Sequence, residues 1–86
     1  MSAIRFNELS MHDKALLVDD FATELCSIEF YDHRIFLYDL NGNFVEAYHN
    51  IDTREIERIS IANYSDLAKF LTRIRIQPYY FWERKN

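Results

Sequence analysis

RIFLYDLNGNFVEAYH, residues 34–49, decides the fold of this 86-residue chain. Two alternating runs flank Asp39-Leu40-Asn41-Gly42, so the stretch reads as a β-hairpin. Asp at the first turn position and Gly at the fourth fit a type I turn. Gly42 then turns left-handed, closing a three-residue loop with a G1 bulge. In that register Asp39 faces Asn43, Tyr38 faces Phe44, Leu37 faces Val45, Phe36 faces Glu46 and Ile35 faces Ala47. One face collects Ile35, Leu37, Val45 and Ala47. The other collects Phe36, Tyr38, Phe44, Glu46 and Tyr48. A two-residue Asn-Gly turn would set Leu37 against Glu46 and mix the faces, which argues against it. Both faces of the hairpin are largely apolar. Helices can cover one, and something must also cover the other.

Outward from the hairpin, the elements fall into a simple order. Ser10 followed by Asp13 resembles a capping box, and Asn7 is a second candidate cap. Met11, Ala15, Val18, Ala22 and Leu25 recur at helical spacing, widened by Leu17 and Phe21, which predicts a helix over about 11–24. Cys26 to Tyr31 alternates as a first strand, and Asp32-His33 turns the chain into the second. Asn50 to Arg54 is a polar turn, and residues 56–61 read as a fourth strand. Asn63 or Ser65 caps a last helix carrying Leu67, Phe70, Leu71 and Ile74, which ends by about residue 76 because Pro78 disfavours helix before it. Arg73 to Ile76 also alternates like a strand, so Tyr79 to Trp82 could form an edge strand instead. The expected fold is therefore a single α+β domain over 1–86. It runs helix, four-stranded antiparallel meander, helix, with both helices on one sheet face in two layers and an aromatic and basic tail at 78–86.

The run Phe21 to Tyr48 carries Thr23-x-Leu25, then Leu37-Tyr38-x-Leu40, then Phe44-Val45-Glu46-x-x-Tyr48. In this it resembles a group of short uncharacterised bacterial α+β proteins sharing a helix, an LY-x-L…FVE-x-x-Y pattern and an Ile-rich strand. The resemblance covers about a third of the chain and departs from the group at Asp39 to Asn43, where a shorter turn is expected. It implies the fold and carries no activity or cofactor.

Composition narrows the function classes. Apolar residues make up 49% and aromatics 16%, with one Gly and one Pro, so long loops and disorder are not expected. Stability of roughly 4–13 kcal/mol follows from ~0.05–0.15 kcal/mol per residue. Cys26 is the only cysteine, so no intrachain disulfide forms and a reducing cytoplasm suits the chain. Its local charges, Glu24 and Glu29, do not favour a reactive thiolate. MSAIRFNELS lacks the apolar core of a signal peptide, and no apolar run is long enough to span a membrane. A cytoplasmic protein is expected.

The net charge of −4 hides an asymmetry. Residues 1–63 carry five basic and twelve acidic side chains, net −7, whereas 64–86 carry five basic and two acidic, net +3. An acidic body repels phosphate and speaks against nucleic acid. The alternative is a nucleic-acid-associated regulator using Arg73, Arg75, Arg84 and Lys85, whose mixture with aromatics resembles a single-strand binding surface.

No residue pattern identifies an enzyme or a cofactor. His33 and His49 face each other in the expected register beside Asp52, a set able to hold Zn²⁺, but no metal-ligand spacing accompanies them. Solvated strand-end histidines are the preferred reading. Asp39-x-Asn41-x-Asn43 begins like a calcium loop but lacks its later Gly and Glu. Glu46 opposite Phe36 could act as an acid or base with a raised pKa, yet no nucleophile or phosphate loop accompanies it. A small-molecule or metal binder centred on Glu46 or on His33 and His49 is thus a further alternative. The expected function is a small non-enzymatic interaction module, homodimeric or bound to a protein partner. Its contact set is Phe36, Tyr38, Phe44, Glu46 and Tyr48 on the aromatic face, with Tyr79 and Trp82 from the tail.

Overall fold

A computed structural model describes residues 3–73. Its elements are α1 (Ala3–Glu8), α2 (Met11–Phe21), β1 (Thr23–Phe30), β2 (His33–Leu40), β3 (Asn43–Asn50), β4 (Ile56–Ile61) and α3 (Tyr64–Arg73). The strands form one antiparallel sheet in the order β1-β2-β3-β4. The expected α+β order of helix, four-stranded meander and helix is borne out.

The helices start where their caps place them. Ser10 accepts the Asp13 backbone N–H at 3.1 Å, fixing the first turn of α2. At α3 the cap is reciprocal. Asn63 Oδ1 accepts the Asp66 N–H at 3.0 Å, and Asp66 Oδ2 accepts the Asn63 N–H at 2.9 Å. The α2 helix ends at Phe21, three residues before the expected stop. Thr23 and Glu24 already pair with Asp39 and Tyr38, so the sheet takes their backbone groups. A bulge at Leu25 lets β1 resume with Cys26 and Ile28 on one face.

The hairpin register is corrected. Leu40 pairs with Asn43, Asp39 with Phe44, Tyr38 with Val45, Leu37 with Glu46 and Phe36 with Ala47. The turn is thus the two-residue Asn41-Gly42, with φ of 52° and 87°. Two successive left-handed residues make a type I′ turn, whose twist matches that of the flanking strands. Asp39 Oδ1 accepts the Gly42 N–H at 2.8 Å and closes it. A Cβ at Gly42 would meet nothing within 4 Å. Gly42→Ala therefore costs only the left-handed backbone, about 1–2 kcal/mol, read as a lowered denaturation midpoint. An unchanged midpoint would contradict this turn.

The new register redistributes the faces. Val45, Ala47, Leu40 and Ile59 share one face with Phe36 and Tyr38, and Phe6 and Val18 pack on it from α1 and α2. Ile28, Ile35 and Leu37 share the other with Phe44 and Tyr48, under Phe70 and Leu67 of α3. The helices therefore stand on opposite faces, not on one, and the architecture has three layers. The physical reason is the central strand: Val45, Glu46 and Ala47 in succession are buried, so both of its faces need cover. Phe21 and Leu25, expected in the core, are 63% and 49% exposed.

The α1 helix was not foreseen. It buries Phe6 to 1% exposure. Asn7 is not a helix cap: its Oδ1 accepts the Ile61 N–H at 2.9 Å and covers the free edge of β4.

Candidate functional site

The five aromatic-face residues do not share a face. Phe36 and Tyr38 lie on the α1/α2 side, where their rings stack with centroids 6.4 Å apart. Phe44, Glu46 and Tyr48 point to the α3 side. Tyr79 and Trp82 lie outside the described residues, as do Arg75, Arg84 and Lys85. Burial, then the charges of Glu24 and Asp19, push the Tyr38 phenol above its ordinary value.

The α3 side holds the most unusual group in the fold. Glu46 is completely buried in the centre of the sheet. Neither carboxylate oxygen has a regular hydrogen bond among the described residues. Cations meet them instead. The Lys69 ammonium of α3 lies against Oε2, and Arg58 Nη2 of β4 is 3.7 Å from Oε1. Register places both. Tyr48 pairs with Arg58 and Glu46 with Ser60, so Arg58 rises on the Glu46 face. Its guanidinium lies 4.3 Å from the Tyr48 ring centroid. Lys69 sits one position before Phe70, donates to the Asp66 carbonyl at 3.1 Å, and lies 5.2 Å from the Phe70 ring. Its stem runs along apolar surface while its head reaches the carboxylate. This arrangement ties α3 to the sheet. Solvent does not reach Glu46, and the charged groups against its oxygens among the described residues are the Lys69 and Arg58 cations.

The histidines part company with their expected partners. His33 pairs with Asn50, and His49 with Arg34, so the two imidazoles lie on opposite faces. His49 packs on Phe36, with centroids 4.7 Å apart. The set His33, His49 and Asp52 is therefore not assembled, because the two-residue turn shifts the pairing by one. Among the described residues no group of three His, Cys, Asp or Glu side chains is placed to hold a metal. Asp39 and Asn41 serve the hairpin turn.

His33 instead meets Glu57, Nε2 to Oε1 at 2.5 Å, and Asn50 Nδ2 donates to the other oxygen at 3.0 Å. The His33 hydrogen bond, then that of Asn50, holds the Glu57 carboxyl below its ordinary 4.5. A lowered carboxylate pKa adds stability above the ordinary value, which is lost as pH falls through the folded value. The window thus opens near pH 4.5 and extends downward. Asn50→Ala should raise the Glu57 pKa in an NMR titration; an unmoved titration would contradict the contact. Burial pushes His49 below its ordinary 6.5, so its neutral form is favoured and stability declines as pH falls below that value.

Two of the concavities among the described residues flank the core. One, of about 280 Å³, lies at the start of α3 between Phe44, Ile61, Ala62, Tyr64 and Leu67. The other, of about 110 Å³, lies under α2 beside Val18, Tyr38, His49 and Ile59. Burial, then Glu24, raises the Cys26 thiol pKa, which opposes thiolate chemistry there. No helix among the described residues is long and apolar enough to cross a membrane.

A scan against protein-family models finds no match, and searches of the curated proteins and of the solved structures return none.

Proposed function

We propose that this chain is a small non-catalytic interaction module that pairs with a second copy of itself through its α2–β1 side. The observation supporting this is the exposure of large apolar groups there: Leu16 at 47%, Phe21 at 63% and Leu25 at 49%. Apolar residues in α2 are not confined to its buried stripe. Ala15, Leu17 and Val18 pack on the core, while Met11, Leu16 and Phe21 are exposed. Phe36 and Tyr38, only half-buried on the same sheet face, extend the apolar surface. Patches of this kind mark interfaces, and a two-fold dimer is the commonest small assembly.

Of the remaining expected contact residues, Glu46 is better explained as the anchor of α3. Phe44 and Tyr48 are half-buried beside it. A cytoplasmic setting belongs to the same reading, supported by a single cysteine and a fold that needs no disulfide.

Sedimentation at high micromolar concentration tests the proposal. The full chain should sediment as a dimer. Phe21→Glu combined with Leu25→Glu should give a monomer with unchanged far-ultraviolet dichroism, since neither side chain is in the core. A full chain that stays monomeric would overturn it.

A further inference from the structure

The concavity at the start of α3 shares no residue with the self-association surface proposed above. Local sequence builds it. The Asn41-Gly42 turn returns the chain at Asn43 and Phe44, and β4 runs beside them. Val45 pairs with Ile61, and the Ala62 N–H donates to the Phe44 carbonyl at 2.8 Å. Asn63 caps α3 directly after this pairing, so the first turn of the helix stands against the hairpin end. A cleft of about 280 Å³ is left between them.

Its walls have a definite chemistry. Phe44, Ile61 and Leu67 are half-buried and give it an apolar floor. Tyr64 stands at the rim, 90% exposed, so one large aromatic ring borders the opening and is available to stack. Two carboxamides, of Asn43 and Asn63, complete the lining. The Asn63 oxygen accepts from the Asp66 N–H and the Ser65 hydroxyl, which leaves its amide N–H groups to donate. The Asn43 carboxamide makes no hydrogen bond to another described residue, and it offers both a donor and an acceptor. Among the described residues no charged side chain lines the cleft.

We propose that this cleft binds an uncharged, flat heteroaromatic compound of one or two rings, of the size and chemistry of a free nucleobase. Its ring would lie between Tyr64 and the Phe44 floor, where stacking accepts any π-face. Its polar edge would meet the Asn43 and Asn63 carboxamides, which match the donor and acceptor pattern of such rings. The volume suits this class: an apolar cavity of about 150 Å³ already holds benzene, and pockets for drug-sized molecules begin near roughly 300 Å³. The absence of a lining cation, on a chain of net charge −4, disfavours a phosphorylated ligand.

The test titrates adenine into the isotopically labelled full chain and follows amide shifts by NMR. Saturable shifts should concentrate on Asn43, Phe44, Ala62 and Tyr64, with a dissociation constant on the order of 1 mM for so small a ligand. Tyr64→Ala should weaken binding about tenfold and Tyr64→Phe should leave it unchanged, because the ring and not the hydroxyl makes the contact. Asn43→Ala should weaken it about fivefold, the scale of one hydrogen bond. Cyclohexanol should not bind, and adenosine monophosphate should bind more weakly than adenosine. Absence of saturable shifts at the cleft overturns the proposal, as does equal binding by Tyr64→Ala or by cyclohexanol. So do side-chain contacts from Tyr79 to Trp82 into the cleft in the free chain, which would assign it to the chain itself. The readout is local to the cleft, so its outcome is separate from the oligomeric state.

Discussion

Lys69→Ala is expected to destabilise the protein by about 3–5 kcal/mol, the cost of leaving a buried charge without its partner. Glu46 is wholly buried, and Arg58, 3.7 Å away and more than half exposed, cannot replace the Lys69 contact. Against a total stability of roughly 4–13 kcal/mol, such a loss unfolds a large part of the population. Urea denaturation measures it. The paired replacement Glu46→Leu with Lys69→Met should recover most of the loss, because an apolar pair of similar volume is often as stable as a buried ion pair. If Lys69→Ala matches the unmodified protein within error, Glu46 is not held by α3. If the double variant is as unstable as the single one, desolvation of the carboxylate is not the cause.

Phe6→Ala should be of similar size, about 3–5 kcal/mol for a buried aromatic reduced to a methyl group. Phe6 is 1% exposed and packs with Val18, Leu40, Val45, Ala47 and Ile59. It belongs to a six-residue helix that is too short to be stable by itself. Removing the ring should also free the Ile61 N–H from Asn7, so β4 amides should exchange faster. A small change in midpoint with β4 exchange unaltered would place α1 away from the core.

What the sequence made legible was whatever depends on short-range pattern. The fourth strand has the expected bounds, and the capping residues Ser10 and Asn63 do what their spacing implies. The register was not legible, and the reason is physical. An Asn-Gly pair is the strongest short-range hairpin signal, but its register opposes Leu37 to Glu46. Burying a carboxylate appears forbidding when only the hairpin is in view. Its compensation comes from Arg58 and Lys69, distant in sequence and brought to Glu46 by folding. The error then propagated. One shifted pairing moved Val45 and Ala47 to the opposite face from Leu37, split the aromatic set, and separated His33 from His49.

The helix placement failed for a related reason. A continuous buried run at Val45, Glu46 and Ala47 means a strand covered on both faces. With Glu46 set opposite Phe36 on an aromatic contact face, the same run suggested both helices on one face and the tail or a partner on the other. Phe6 escaped notice because a single aromatic in a short polar helix leaves no period to detect. The signal for Lys69 was subtle but present: a lysine beside the apolar stripe of Leu67 and Phe70 can lay its stem along that stripe.

The most direct measurement is the cross-strand contact pattern of β2 and β3 by NMR. The account predicts backbone contacts linking Leu37 to Glu46 and Phe36 to Ala47, with Glu46 side-chain contacts to Lys69. Contacts linking Leu37 to Val45 and Phe36 to Glu46 would restore the longer loop, return Glu46 to the Phe36 face, and contradict the placement of α3.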